Sequence, residues 1–435
     1  MHTTNSSWTA LRNPAFRRLW VASLVSGTCV AAHDNAATYL MDTLAASPFL
    51  ISAVSTAASL PFFLFTLPAG VLADRVSHKR LLCAVNLWLA IAAAALAILG
   101  WLHLLNPYLI LVAVFLIGIG FAFNAPASTS IVAQIVSDTE LPSAAALNGL
   151  QFNVSGIVGP ALGGFLVLLV GANLVFILNA ACFLLVIVSV LQWKQRNALS
   201  TPSSESFCQS FGTAFRYIRC APEFQMLLMR NFLFALFISA IPALLPVVGL
   251  QVLQLSSSKL GLLFTSMGIG STVTALLLIP WFRARFSPNT LMLSANLLVI
   301  LAYVLMALVR QTELFLLVAA LAGAGWTLSA SELWVAAQRT MPEWARGRLN
   351  ATIMMTSQGG MVLGGLVWGA TAAIVGPGYA LFGAATLFLI TLILSVSLSI
   401  NFTASIRERV LNGLSANVKS PEAAPAALTP GLLAV

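Results

Sequence analysis

Charge is what this sequence lacks most. Only 8% of its 435 residues are charged, 21 Lys and Arg against 12 Asp and Glu. A soluble domain carries about 25%. With 59% of the residues hydrophobic, no aqueous fold hides that much apolar surface, and a polytopic membrane protein is expected. Cysteine is scarce too, five residues in all. Cys29, Cys83 and Cys182 fall in apolar runs and Cys208 and Cys220 in a polar stretch, and none is expected to form a disulfide or a metal cluster. The chain has no Gly-x-x-x-x-Gly-Lys-Ser/Thr loop for ATP, no His-Glu-x-x-His and no Gly-x-Ser-x-Gly. ATP is thereby excluded as the direct energy source. The expectation is a non-enzyme with no cofactor and no metal. A net charge of +9 and a pI near 9.8 suggest nucleic acid at first sight. The charges punctuate apolar runs and form no basic face, so nucleic acid is not an expected partner.

What the sequence has is long apolar runs. They lie at 19–44, 49–72, 81–102, 107–130, 143–169, 172–193, 229–253, 260–282, 289–309, 314–337, 349–375 and 378–400. Each is close to the roughly 20 residues that cross a bilayer. Each must be helical, because backbone N–H and C=O groups find no partner in hydrocarbon. The first run, at about 25 residues, is too long for a signal-peptide core and reads as an uncleaved span. Basic residues test the count. Arg12, Arg17, Arg18, Arg75, Lys79, Arg80, Lys194, Arg196, Arg283, Arg285, Arg339, Arg346, Arg348 and Arg407 all fall on one face if the count is even. Lys259 and Arg310 fall opposite. The positive-inside rule then places both termini in the cytoplasm, and the expected location is the inner (plasma) membrane.

The domain reading has four parts: a six-helix bundle over 1–193, a cytoplasmic loop over 194–228, a second six-helix bundle over 229–400, and a tail over 401–435. In the loop, Phe207, Phe211, Phe215 and Ile218 recur at helical spacing, as in an interfacial amphipathic helix. The tail is rich in Ala, Pro, Ser and Asn and is expected to be disordered. The halves repeat each other. Gly118-Ile-Gly120-Phe121 answers Gly323-Ala-Gly325-Trp326, Asn148 answers Asn350, and Gly163-Gly164 answers Gly364-Gly365. The fold class is therefore an all-α membrane protein of twelve transmembrane helices in two pseudo-symmetric bundles.

Few residues inside the spans carry chemistry. Asp34 is the one carboxylate well inside a span, about 15 residues or roughly 22 Å beyond Leu19, with His33 and Asn35 beside it. A charge there is expensive, so it is expected to face a cavity and to exchange a proton. Two roles stand open: proton coupling, or a structural carboxylate bonded to neighbouring helices. His33 is expected to pack. Glu332, near the inner end of the tenth span, is expected to pair with Arg339 or Arg348. No span has Lys or Arg at its centre, which disfavours a strongly anionic substrate.

Two stretches carry a family resemblance. Gly70-Val-Leu-Ala-Asp74-Arg75-Val-Ser-His-Lys79-Arg80 resembles the loop between helices 2 and 3 of the major facilitator superfamily, matching at Gly70, Asp74, Arg75, Lys79 and Arg80. Ser77 stands where that family usually has Gly. Ser155-Gly156-Ile-Val-Gly159-Pro160-Ala-Leu-Gly163-Gly164 resembles the helix 5 motif of the superfamily's exporters, with Ser155 in place of a glycine. Pro160 predicts a bend, and the glycines a bare face for close approach. Asn124-Ala-Pro126-Ala127, Leu141-Pro-Ser-Ala-Ala-Ala-Leu-Asn148, Phe16-Arg17-Arg18-Leu-Trp20 and Phe215-Arg216-Tyr217-Ile218-Arg219 extend the resemblance to the siderophore-exporter-like, or transmembrane secretion effector, branch. It covers nearly the whole chain except the tail.

The resemblance implies several roles. Asp74 would hold the cytoplasmic side shut against the start of helix 11 near Leu349. Arg75 would pair with Asp138 or Glu140. Helix 5 would meet helix 8, with Gly261, Gly268 and Gly270 as its opposing surface. In the same way Gly360, Gly364 and Gly365 are expected to face Ser52, Ser55 and Ser59. The arginine that many proton-coupled members carry in helix 4 is absent between Tyr108 and Ser130. The implied function is secondary active export of a small amphipathic molecule (a drug, siderophore or metabolite) by alternating access, with protons as coupling ion. The implied state is a monomer in a lipid bilayer. The alternatives are an importer or symporter of the same fold, and a non-transporting sensor or scaffold.

Overall fold

The computed structural model describes residues 8–45, 47–137, 139–193, 219, 221–341 and 346–394. The amphipathic segment expected around Phe207–Ile218 and the tail from 401 lie outside the described residues, as does Asp138. The chain forms two compact units, Met1–Thr386 and Leu387–Val435. Of the second, the described part is the end of the last helix, residues 387–394.

The fold is built from twelve long helices with no strand among the described residues. They are α1 (Pro14–Ala45), α2 (Pro48–Arg75), α3 (His78–Trp101), α4 (Pro107–Ile135), α5 (Leu141–Val170) and α6 (Ala172–Leu191). Then come α7 (Phe224–Val252) and α8 (Ser257–Arg283). The last four are α9 (Pro288–Leu308), α10 (Thr312–Thr340), α11 (Arg346–Val375) and α12 (Pro377–Leu394). Eleven of them are long and apolar enough to cross a membrane. The other is α1: its Arg17–Arg18 end and its His33-Asp34-Asn35 triplet lower its hydropathy, although at 32 residues it has ample length.

Local sequence sets where the helices start. Proline opens α1, α2, α4 and α9, where its missing N–H would be unpaired anyway. The Asn106 side chain accepts from Leu109 N at 2.9 Å and Ser287 Oγ from Thr290 N at 3.3 Å, capping α4 and α9. Several helices run past their apolar limits at the basic end. α1 begins at Pro14, α2 ends at Arg75 and α4 at Ile135. A helix that starts at Pro222 leads into α7, so residues 222–228, expected as loop, are its first turns. Once nucleated, a helix need not stop where hydrocarbon does.

Within each helix the small residues face inward. In α3, Leu89, Ala93, Leu96 and Ala97 are buried, while Leu87, Trp88, Ile91 and Ile98 point outward. That is the pattern of a lipid-facing helix, whose packing relies on close contact rather than on hydrophobic exclusion. α7 is the exception. Ala243, Leu244, Leu245 and Val247 are wholly buried, and the helix ends in a π-helical turn, Val248–Val252.

The repeat seen in the sequence is a repeat of contacts. A Cβ on Gly118 of α4 would meet Pro61 of α2 at 2.7 Å, and one on Gly120 would meet Leu89 of α3. Gly323 of α10 approaches Met267 of α8, and Gly325 approaches Val299 of α9. The two glycine pairs thus hold equivalent triplets, α2–α4–α3 and α8–α10–α9. Gly171 (φ 82°) and Gly376 (φ 93°) make the equivalent single-residue turns, α5 to α6 and α11 to α12. Glycine takes that left-handed backbone without a Cβ clash. These are two pseudo-symmetric six-helix bundles.

Candidate functional site

The two halves meet along α5 and α8, and along α2 and α11. On α5 the small residues form two stripes. A Cβ on Gly268 of α8 would lie 3.0 Å from the Gly156 carbonyl oxygen, Gly261 abuts the Pro160 carbonyl, and Gly164 abuts the Ser257 carbonyl. Gly156, Pro160 and Gly164, four residues apart, therefore form the face toward α8. Gly159 and Gly163 form the other stripe, against α1. A Cβ on Gly159 would lie 2.6 Å from Thr28 O, and one on Gly163 2.5 Å from Ala32 O. The expectation that all five serve the joint between halves is corrected for Gly159 and Gly163. They sit one helical step round, and hold α5 to its own bundle. Gly270 is corrected too: it packs on Ala320 of α10.

α11 repeats the arrangement. Gly360 and Gly364, expected to face α2, pack on α7 against Phe232, Ala235, Leu236 and Ser239. The stripe beside them crosses to α2: Gly365 meets Thr56, Gly369 meets Ser52, and Gly359 meets Phe63 at 3.0 Å. Ser55 turns to its own helix and donates to Ser52 O at 2.8 Å. Three α8 hydroxyls that sequence reasoning passed over fasten the first joint. Ser257 Oγ donates to Gly164 O at 3.1 Å, Thr265 Oγ1 to Ile157 O at 2.6 Å, and Thr272 Oγ1 to Asn153 Oδ1 at 3.3 Å. Their spacing of seven to eight residues was the available signal.

Asp34 lies on α1 one turn beyond the Ala31–Gly159 and Ala32–Gly163 contacts. Its neighbours His33 and Asn35 are buried, yet Asp34 itself is exposed. Its carboxylate makes no hydrogen bond or ion pair among the described residues. Neither cavity described below has Asp34 in its lining. No partner that would give it a structural role is found among the described residues. His33 packs as expected, its ring 4.5 Å from that of Phe176 on α6. Both ring nitrogens of His33 and both amide atoms of Asn35 are buried without a partner.

At the basic end, the turn 70–80 is tied to its own bundle. Lys79 Nζ donates to Leu191 O at 2.9 Å and Trp193 O at 2.7 Å, closing the end of α6. His78 Nδ1 lies 3.3 Å from Gln134 Nε2 on α4. Lys79 is thus a helix-end cap, a use that spacing alone does not reveal. The Asp74 side chain lies outside what is described. Gly70 has open space around it, and Arg75 and Arg80 are exposed. Arg75 makes no ion pair among the described residues. The Glu140 carboxylate instead accepts from Ser137 N at 3.0 Å and Ser137 Oγ at 2.9 Å. A cleft of about 590 Å³ opens beside this turn, among Arg18, Gln134, Ser137, Glu140 and Gln192. Its lining is mixed, with Pro14, Ala15, Ile135 and Val136 beside the polar groups, and it is remote from Asp34.

One further expectation is corrected. Glu332 is buried and pairs with Arg283, whose Nε lies 2.9 Å from Oε1, and not with Arg339; the Arg348 side chain lies outside what is described. α8 runs beside α10, so its last turn brings Arg283 to Glu332, whereas Arg339 is about 10 Å further along the same helix. Cys29 on α1 and Cys182 on α6 have their sulfurs 3.0 Å apart as free thiols. Residues 153 apart in sequence gave no hint of that meeting.

The family described as transmembrane secretion effector matches residues 5–420. The chain belongs to it. Membership of this branch of the major facilitator superfamily agrees with the two-bundle fold. Among curated relatives, macrolide efflux protein A of Streptococcus pyogenes is 26% identical over 151 residues, 35% of this secretion effector and 37% of the relative. The chain thus spans little more than a third of that relative's length. The nucleoside transporter NupG superposes with a TM-score of 0.66 at 15% identity, covering 88% of this chain and 98% of that one. A bacterial homolog of the human lysosomal transporter Spinster superposes with a TM-score of 0.67 at 15% identity, covering 89% and 96%. At such identities these structures speak for the fold alone. Family and fold are those of transporters, and the protein is a multi-pass helical membrane protein.

Proposed function

We propose that this secretion effector is a secondary active exporter of small amphipathic molecules, driven by protons entering as substrate leaves. The observation that carries the reading is Asp34, an exposed and unpaired carboxylate inside a span, within about a turn of the α1–α5 contacts that adjoin the joint between halves. Such a group changes charge when it takes a proton. Its charged and neutral forms have different solvation costs in open and closed cavities. A proton on Asp34 therefore biases the balance between inward- and outward-open states by its differential affinity for them. The direction of transport is supported by the family description and by the efflux relative, and the small-residue face of α5 agrees with it.

In this reading the turn 70–80 lies in the cytoplasm, with both termini, at the inner membrane. The halves, 1–193 and 229–400, rock on the α5–α8 and α2–α11 joints. Backbone-on-backbone contact at Gly164, Gly261 and Gly268 lets α5 and α8 slide without interlocked side chains. Cargo reaches a mostly apolar cavity from the cytoplasm or the inner leaflet. The test is efflux from inverted vesicles under an imposed pH gradient, screened over uncharged and cationic amphiphiles. Asp34→Asn is expected to fold normally and to lose gradient-driven flux at least tenfold. Undiminished proton-driven flux in that variant rejects the coupling role, and uptake in place of extrusion rejects the direction.

A further inference from the structure

We infer that the C-terminal half holds its own subsite, between α7, α10 and α11, for an uncharged ring bearing a hydrogen-bond donor. The inference rests on the transport reading above and names the kind of substrate moiety it would take. A cavity of about 220 Å³ lies there, and every residue around it belongs to those three helices. Each helix contributes one stripe at helical spacing: Asn231 and Phe234 from α7, Trp326 and Trp334 from α10, Met354 and Gln358 from α11. That volume is below the 300–1,000 Å³ of a whole drug site, so it holds one ring system of a larger molecule.

The lining is aliphatic and aromatic with three uncharged polar residues, Asn231, Ser357 and Gln358, and no ionisable side chain. A charged group placed there would lose its water and find no counter-ion. Glu332, on the same stretch of α10, is already neutralised by Arg283. The tryptophans differ from others in the chain. The indole N–H groups of Trp20, Trp88 and Trp368 donate to the carbonyls of Leu147, Leu116 and Leu236. Those rings are fastened to the frame. Trp326 and Trp334 make no such bond among the described residues and stand around the cavity, Trp334 45% exposed. Gln358 adds an independent sign: its Oε1 is buried and has no partner. Native proteins rarely leave a buried acceptor empty-handed. Asn231 donates one amide N–H to Ile353 O at 3.0 Å. A partly aromatic wall with a free acceptor at Gln358 suits a flat hydroxylated ring.

The experiment is titration calorimetry on the purified full chain in detergent with three probes of one shape: 2-naphthol, 2-methoxynaphthalene and the cation 2-naphthylmethylammonium. 2-Naphthol is expected to bind the unaltered protein three- to tenfold more tightly than 2-methoxynaphthalene, and the cation most weakly. Gln358→Leu is expected to erase the naphthol advantage and to leave the methoxy probe unchanged. Trp334→Ala is expected to weaken both by tenfold or more. Equal affinities for all three probes, or a preference for the cation, overturn the subsite. The probe comparison needs no variant, so a misfolded Gln358→Leu does not blunt it. Binding with this selectivity by a protein that moves nothing across vesicles keeps the subsite and rejects transport. Flux with no probe selectivity does the reverse.

Discussion

Glu332 illustrates how a single carboxylate is decided. Buried on α10 at 6% exposure, it is held by Arg283 Nε at 2.9 Å, and Arg283 Nη2 also reaches Ser331 Oγ at 2.8 Å. Removing one member of a buried pair strands the other. Arg283 is 40% exposed, so water compensates in part. Glu332→Ala is expected to lower stability by about 1–3 kcal/mol, read as a lower melting temperature in detergent. Arg283→Ala combined with Glu332→Ala should cost less than the two single losses added. Asp34 is the opposite case: exposed, unpaired and mid-span, it carries cost without a structural return among the described residues, which is what the proposed coupling role asks of it. Its place in a span was legible from composition. Its exposure was not, because a helix position says nothing about which neighbour leaves a gap.

At the scale of helices, the small residues of α5 and α11 do two jobs at once. Gly156, Pro160 and Gly164 meet α8 while Gly159 and Gly163 meet α1; Gly365 and Gly369 meet α2 while Gly360 and Gly364 meet α7. The motif as written in sequence is one string, and the 3.6-residue turn splits it into two faces. Gly261→Val is expected to slow export at least tenfold and to lower the melting temperature, because the new side chain meets the Pro160 backbone, which cannot rotate away. Gly149→Val is the control: nothing lies within 4 Å of that position, and neither readout should change. Loss of export in both variants alike would remove the α5–α8 joint as the cause. The meeting of Cys29 and Cys182 belongs to this scale too. It reports the antiparallel register of α1 against α6, which no local pattern encodes.

For the whole molecule, equivalence of contacts between the halves is the organising fact. α5 packs on α1 in its own half and on α8 across the joint, and α11 packs on α7 and on α2. Shifting every label by six maps one set on the other. Transport by rocking requires those cross-joint contacts to open and close. In a background with native cysteines replaced by serine, Ser52→Cys with Gly369→Cys is expected to form a disulfide. A Cβ on Gly369 lies 3.0 Å from the Ser52 Cβ, near the span a disulfide bridges. Oxidation should halt vesicle flux and reduction should restore it. Flux that persists with the pair closed would sink the rocking mechanism.

The sequence by itself determined the helices, their number, their apolar faces and the repeat. Those depend on local hydropathy and on glycine and proline, and hydrocarbon leaves a backbone no alternative to the helix. Only the tertiary structure decided which face of a small-residue motif meets which neighbour, that Lys79 closes α6, that Arg283 and not Arg339 holds Glu332, and that Asp34 stands open. Each of these depends on the rotation and register of one helix against another. Helices in lipid pack through many similar small-residue contacts, and the choice among them is made by the sum over both bundles rather than by any one stretch.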